Sequence, residues 1–129
     1  MIIRSIEEVV GTERDVSGAG WRSRRILRRD DGMHFSLHWT ELAAGTELDL
    51  RYSNHLEANL IVAGEGEVVD VSTGQTFQLR PGTIYALDQH DEHILRATKG
   101  DLHLVCVFNP PVAGTETHNA DGGYEPPSE

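Results

Sequence analysis

The chain is poor in cysteine and lysine and has no long apolar run. A single cysteine among 129 residues excludes a disulfide framework and a zinc site built from several thiolates. Acidic residues outnumber basic ones by 21 to 11, and the net charge of -10 argues against a binder of nucleic acid or of anionic membranes. No apolar run approaches the roughly 18 residues that span a bilayer, and Met1–Arg4 lacks a signal-peptide core. We therefore expect a cytoplasmic protein.

Chain length, charge distribution and histidine content indicate what kind of domain and site the chain can form. A mass of 14.3 kDa fits one domain over residues 1–129. Residues 1–40 carry seven arginines against six acids, whereas residues 41–129 carry four basic residues against fifteen acids. Seven histidines leave a metal site of histidine and oxygen ligands possible.

The pattern along the chain predicts one short helix followed by strands. Ser5 and Glu8 have the spacing of a capping box, and Gly11 would end that helix. Residues 33–40 alternate strictly between apolar and polar, which is the period of a strand. Later short runs are separated by turn residues, among them Gly64–Gly66 and Lys99–Asp101. Many short strands predict an antiparallel sandwich or barrel, and the Pro- and Gly-rich residues 109–129 predict an extended tail.

Three central residues have the spacing of a known barrel motif. Gly45, Glu57 and Gly64 stand at the intervals of the first cupin motif, although its two histidine positions hold other residues. The histidine position of the second motif, which comes after Pro81-Gly82, falls on Tyr85. The chain thus resembles a cupin whose usual three-histidine ligand set is replaced.

Five blocks of sequence carry a sharper resemblance. They are Asn54-His55-Leu56-Glu57-Ala58, Gly64-Glu65-Gly66-Glu67-Val68, Pro81 to Asp88, His90 to His93, and Val105 to Pro111. With these blocks in order and almost without gaps, the chain resembles the ectoine synthases. These are small cytoplasmic cupin enzymes, usually dimeric, that close N-γ-acetyl-L-2,4-diaminobutyrate into ectoine with loss of water.

The resemblance implies an all-β cupin, a small jelly-roll β-barrel over about residues 20–109. A short N-terminal helix precedes the barrel, and a C-terminal lid or tail covers about residues 110–129. The family's iron ligands correspond to Glu57, Tyr85 and His93. Carboxylate, phenolate and imidazole suit Fe(II), although another divalent metal is possible, and the ion would act as a Lewis acid. A homodimer is implied as well.

Further site residues also come from the resemblance. The positions that contact substrate in the family correspond to Trp21, Ser23, Thr40, Cys106 and Phe108. The candidates for proton transfer or substrate contact are Tyr52, His55, Glu116 and His118.

Some of these assignments leave alternatives open. His55 is either a base that lies next to the metal ligands without binding the metal, or a fourth metal ligand. Glu116 and His118 act only if the tail folds back as a lid, and the alternative is a disordered terminus. His34 and His38 cannot chelate one ion together, because four residues along a strand span about 13 Å.

The chain departs from the family pattern at Arg22, Arg24, Asp49 and Arg51, and also at residues 59–61, where it reads Asn-Leu-Ile in place of Val-Tyr-Cys. The arginines at 22 and 24 either change the accepted substrate or pair with acidic groups at the surface or a dimer interface. Two alternative functions stay open. One is a divergent cupin that acts on another acylated diamino acid or hydrolyses an amide, and the other is a cupin that binds a small ligand without turnover.

Overall fold

A computed structural model describes residues 1–126. The helix α1 spans Ile6–Val9, and the predicted capping box is confirmed: the Glu8 N–H donates to the Ser5 hydroxyl at 3.2 Å, and the Ser5 N–H donates to the Glu8 carboxylate at 3.4 Å. Gly11 lies just beyond the helix with a φ of 78°. No helix within residues 1–126 is long and apolar enough to cross a membrane.

Strands make up most of the remaining structure. They are β1 (Asp15–Gly18), β2 (Trp21–Leu27), β3 (Ser36–Leu42), β4 (Glu47–Leu50), β5 (Leu56–Asp70), β6 (Gln75–Leu79), β7 (Ile84–Leu87) and β8 (His93–Asn109), with a 3-10 turn at Arg29–Asp31.

The two long strands β5 and β8 organise the fold. They pair with each other antiparallel, and each takes different partners along its two halves. The first half of β5 pairs with β7 and its second half with β6, whereas the first half of β8 pairs with β4 and its second half with β3. Strands β2 and β1 extend the layer that contains β3. Two antiparallel layers therefore share the same pair of long strands, as in a jelly roll.

The predicted turns at Gly64–Gly66 and Lys99–Asp101 are wrong as strand ends. β5 continues through the first and β8 through the second. The register between them shifts three times from Ile61 to Gly66, so these residues form bulges at which the strand bends. Gly64 has a φ of 83°, and a Cβ there would collide with the Asp101 carbonyl. Glycine is needed for the bend, which passes the chain from one layer to the other.

The core lies between the two layers. Its fully buried apolar side chains include Leu42, Ile61, Leu79, Leu102, Leu104 and Phe108. The alternation predicted for residues 33–40 holds from Ser36 onward, where β3 begins. Ser36 and His38 are buried, so the polar face of β3 points into the barrel. A polar inward face is unusual in a small core and marks the interior as a functional site.

The tail folds back over the barrel. Val112 and Tyr124 are buried in the core cluster, and the Val112 N–H donates to Ser36 Oγ at 3.0 Å. Arg25 Nη2 donates to the Glu116 carbonyl at 2.9 Å. The tail through residue 126 is thus extended but packed, whereas residues 127–129 of the predicted tail lie outside the described residues.

Candidate active site

A cavity opens between the two layers and is covered by the tail. Its walls come from β2, β3, β4, β5, β7, β8, from Tyr52 between β4 and β5, and from the tail. The predicted substrate-contacting residues all line it, namely Trp21, Ser23, Thr40, Cys106 and Phe108. Most of the remaining lining is apolar or aromatic, which suits the methylenes and methyl group of a small substrate.

Glu57 and Tyr85 enter this cavity from two paired strands. β5 and β7 place Asn59 opposite Tyr85 and Glu57 opposite Leu87, so the carboxyl and the phenol lie on neighbouring strands. Burial raises the pKa of Glu57 to about 8. Burial, with the nearby Glu57, raises the pKa of Tyr85 well above its usual 10. At neutral pH and without a cation, both groups therefore keep their protons.

His93, the first residue of β8, lies near Tyr85 and lines a neighbouring groove together with it, and one of its ring nitrogens is already hydrogen-bonded. Its Nδ1 is 2.9 Å from the Asp91 carbonyl, which can only accept, so Nδ1 carries the proton. Nε2 is buried and has no hydrogen-bond partner in residues 1–126. The ring centroid is 6.2 Å from those of Tyr85 and Tyr52. An imidazole that is oriented by a carbonyl and keeps a free lone pair has the form of a metal ligand.

The three predicted ligands fit a hard-to-borderline metal ion. In residues 1–126 no group of three or more His, Cys, Asp and Glu side chains converges to hold an ion, so a metal centre here requires the phenol oxygen of Tyr85. Two oxygens and one nitrogen match the preferences of Fe(II). The unpartnered Nε2 of His93 and the protonated Glu57 are both groups that a cation would satisfy.

Tyr52 and His118 form a hydrogen-bonded pair at the cavity wall. Tyr52 Oη lies 2.8 Å from His118 Nε2, which brings the tail onto the barrel. Burial and the charge of Arg25 lower the pKa of His118 to about 4. Burial raises the pKa of Tyr52 well above 10. The pair therefore combines a neutral phenol that donates with a neutral imidazole that accepts.

The other two candidates for proton transfer do not reach the cavity. His55 comes directly before β5 and is buried, as Glu57 is, whereas Leu56 between them is exposed; its ring packs edge-on against Phe108 and Tyr124 rather than lining the cavity itself. The Glu116 carboxylate accepts the N–H groups of residues 113–115 at 2.8 to 3.0 Å and stabilises the turn of the tail. These three hydrogen bonds hold the carboxylate in the turn of the tail, and Glu116 is not among the residues that line the cavity. Those backbone donors outweigh burial, which acts in the opposite direction, and hold the pKa of Glu116 below its usual value.

Four of the departures from the family pattern, those at residues 22, 24, 49 and 51, lie away from the cavity, whereas Asn59 lines it next to Glu57. Arg22 pairs with Asp15, and Arg24 pairs with Glu41 at 2.6 Å. These guanidinium groups are neutralised within the chain, which favours the surface-pair explanation over a changed substrate. Asp49 and Arg51 line a separate polar groove with residues 120–122 of the tail.

Three residues of the cavity region escaped the sequence-based prediction, namely Arg25, His38 and Tyr124. Arg25 follows Trp21 and Ser23 at every second position of β2. This strand alternation indicates that all three side chains point inward. His38 lines the cavity from β3, where its alternation with apolar neighbours was the available signal. Tyr124 lies in a low-complexity tail, where no sequence pattern signals burial.

Known proteins match this chain over nearly its whole length. The family model described as "Ectoine synthase" matches residues 1–128. The chain is 53% identical to the L-ectoine synthase of Desulfosudis oleivorans over 125 residues, which cover 97% of each protein.

Solved structures agree with the sequence match. The ectoine synthase from P. lautus superposes with a TM-score of 0.87 and 47% identity, covering 95% of this chain and 87% of that one. A double-stranded β-helix protein from Klebsiella pneumoniae superposes with a TM-score of 0.65 and 18% identity, covering 87% of this chain and 92% of that one, and shares the fold. The predicted cupin fold is confirmed. With the family model, the relative and the structure in agreement, the chain belongs to the ectoine synthase family.

Proposed function

We propose that this chain is a carbon-oxygen lyase that closes N-γ-acetyl-L-2,4-diaminobutyrate to ectoine and releases water. One observation carries the proposal from the geometry. A cavity covered by the tail brings a protonated carboxyl, a phenol and the apolar groups of Trp21 and Phe108 together beside an imidazole with a free lone pair. Such a cavity can fold a short acylated diamine, activate its amide and keep water out.

For ring closure, the protein mainly has to position the reacting groups of the substrate and transfer protons. The α-amine attacks the acetamido carbonyl carbon within one molecule, a C–N bond forms, and the carbonyl oxygen leaves as water. Tethering of this kind contributes about 7 to 11 kcal/mol when the reacting groups are aligned. The amine must lose two protons and the oxygen must gain two, so a base and an acid are needed next to the reacting carbon.

Glu57, Tyr85 and His93 are the residues that would hold Fe(II) in this cavity. The ion would supply Lewis-acid polarisation of the amide, which is otherwise a poor electrophile. Glu57 and Tyr85 would each have to give up a proton on binding, whereas His93 already presents an unprotonated nitrogen.

The Tyr52–His118 pair is our candidate for proton transfer. Its hydrogen bond of 2.8 Å joins a donor and an acceptor on the cavity wall. Tyr52 Oη would take a proton from the attacking amine while its own proton passes to His118 Nε2, and the reverse transfer would deliver a proton to the departing oxygen. Because His118 belongs to the tail, the pair exists only when the tail covers the barrel, which we propose is a lid that excludes water during ring closure.

We also propose that two copies associate through an apolar face of the outer barrel wall. Leu60 and Ile84 lie opposite each other on β5 and β7 and are 42% and 64% exposed, and Leu56 extends the same face of β5. A second copy that presents the same face would bury it in an isologous contact. Sedimentation velocity should report twice the chain mass of 14.3 kDa, and Ile84→Glu should return the monomer.

We further infer a cytoplasmic site of action and a role in osmotic stress. The free thiol of Cys106 belongs in a reducing compartment, and an acidic, lysine-poor chain suits a cytoplasm rich in salt.

Product formation tests the proposed reaction. The protein is loaded with Fe(II), mixed with N-γ-acetyl-L-2,4-diaminobutyrate and monitored by proton NMR. We expect ectoine signals to grow with the wild type and not with Glu57→Ala. Loss of substrate to acetate and diaminobutyrate would instead indicate amide hydrolysis, and no change with either protein would refute the proposal.

A further inference from the structure

Asn59 places an unpartnered amide inside the cavity. The residue is 1% exposed and lines the cavity from β5. Neither its Oδ1 nor its Nδ2 has a hydrogen-bond partner in residues 1–126, and both atoms are buried. A buried amide of this kind lowers the stability of the fold, because it gives up hydrogen bonds to water and gains none from the protein.

The strand register places this amide among the predicted metal ligands. Asn59 pairs with Tyr85 on β7 and with Cys106 on β8, so its side chain lies between theirs on the inner face of the barrel. Glu57 comes two residues earlier on β5, and side chains at that spacing point to the same face of a strand, about 7 Å apart at their bases. A carboxyl and an amide can bridge such a distance.

The amide lies beside the Glu57 carboxyl without forming an aligned hydrogen bond to it. The two groups are close enough to interact, yet Nδ2 has no partner of hydrogen-bond geometry within residues 1–126. Both hydrogens of Nδ2 are therefore available to an acceptor that takes up a new orientation in the cavity.

The other neighbours offer Glu57 no comparable donor. Leu87 and Phe108, which pair with Glu57 on the two adjacent strands, have no polar side-chain atoms. The thiol of Cys106 is a weak donor and already donates to a threonine hydroxyl at 3.4 Å. Of these neighbours, Asn59 thus presents the strongest donor to the carboxyl.

We propose that Asn59 is a positioning residue of the metal site, whose Nδ2 donates to the Glu57 carboxylate when that carboxylate binds the cation. The inference rests on the proposed function, which assigns Glu57 to the metal. A carboxylate that binds a metal keeps acceptor capacity, and a hydrogen bond to it fixes the orientation of the ligand. Loss of such a partner typically weakens metal affinity by about 10- to 100-fold. The stability that the amide costs the metal-free fold would be regained when the metal binds.

The test measures metal affinity instead of turnover. Dissociation constants for Fe(II) are determined under argon, by competition with a chromophoric chelator, for the wild type, Asn59→Leu and Ile61→Val. Leucine keeps the branching of asparagine without its polar atoms. Ile61 is the next buried residue on the same face of β5, so its variant serves as the control. We expect Asn59→Leu to raise the dissociation constant by about 10- to 100-fold and Ile61→Val to leave it unchanged.

Thermal unfolding in the presence of a strong chelator separates positioning from damage to the fold. Asn59→Leu should raise the Tm of the metal-free protein, because it removes two unpartnered polar atoms from the interior. A residue with a purely structural role would instead lose Tm and metal affinity together. Asn59→Val is smaller, so it repeats both measurements without overfilling the cavity, and it should shift both in the same directions.

Two results would overturn the inference alone. One is a dissociation constant that stays unchanged in both Asn59 variants, and the other is weaker binding with a lower metal-free Tm in both. Glu57→Gln distinguishes these failures from that of the proposed function. If Glu57→Gln binds Fe(II) as tightly as the wild type, or if the wild type binds none, the proposed metal site is wrong and the inference falls with it.

Discussion

Glu57→Gln should stabilise the metal-free protein, and increasingly so as the pH rises. The carboxyl is buried, and burial raises its pKa from 4.5 to about 8. Between these two values the unfolded chain has lost the proton and the folded chain keeps it, so the free energy of unfolding falls with rising pH. The slope is about 1.4 kcal/mol per pH unit well below the folded pKa and falls to half of that at pH 8, so the loss between pH 6 and pH 8 is about 2 kcal/mol. A neutral glutamine of the same shape escapes this loss.

Urea unfolding in the presence of a chelator measures the effect. The gap in unfolding free energy between Glu57→Gln and the wild type should widen by about 2 kcal/mol from pH 6 to pH 8. Glu65→Gln, an exposed carboxyl on the same strand, serves as the control and should show a constant gap. Added Fe(II) should stabilise only the wild type and reverse the order. A Glu57→Gln gap that does not change with pH would refute the reasoning, because it would mean that the Glu57 carboxyl is not held protonated by burial.

Three further predictions concern the tail and the core. Deletion of residues 113–129 should abolish cyclisation with the iron content nearly unchanged, and normal turnover in that variant would contradict the lid. The ring of His118 should titrate by NMR with a midpoint near 4, since burial and Arg25 oppose its protonation; a midpoint near 6.5 would mean that the tail does not cover the barrel in solution. Leu104→Ala should lower the free energy of unfolding by about 2 to 5 kcal/mol in urea, because the side chain is fully enclosed, and a loss below about 1 kcal/mol would indicate a loosely packed core.

Local rules in the sequence predicted local structure well. The capping box at Ser5 and the alternation in β3 depend on neighbouring residues, and both are present. The expected breaks at Gly64 and Gly100 failed because glycine signals a bend without revealing whether the strand continues beyond it. In a two-layer barrel, a bulge at glycine lets one strand continue from one layer into the other. In a hairpin, the same glycine residues would form a turn and end the strand.

The candidate site was predictable only where a motif or the family resemblance reached it. Motif spacing marked Glu57 and Tyr85, and the resemblance added His93. Neither shows that Nε2 of His93 is without a hydrogen-bond partner, which is a property of the folded chain described over residues 1–126. The prediction missed Arg25 because arginine is rarely buried, even though the period of two with Trp21 and Ser23 sets it apart from its neighbours at 22 and 24. The packed tail depends on contacts across about ninety residues, such as Arg25 to Glu116, and no local pattern records them.

The central claim is that the cavity holds its metal between Glu57, Tyr85 and His93. Crystals grown with Fe(II) and measured above and below the iron absorption edge test this most directly. The account predicts one anomalous peak within coordination distance of the Glu57 carboxylate, Tyr85 Oη and His93 Nε2, which disappears in His93→Ala. A peak that lies elsewhere, for example in the groove of Asp49 and Glu92, or one that lacks the Tyr85 oxygen among its neighbours, would contradict it.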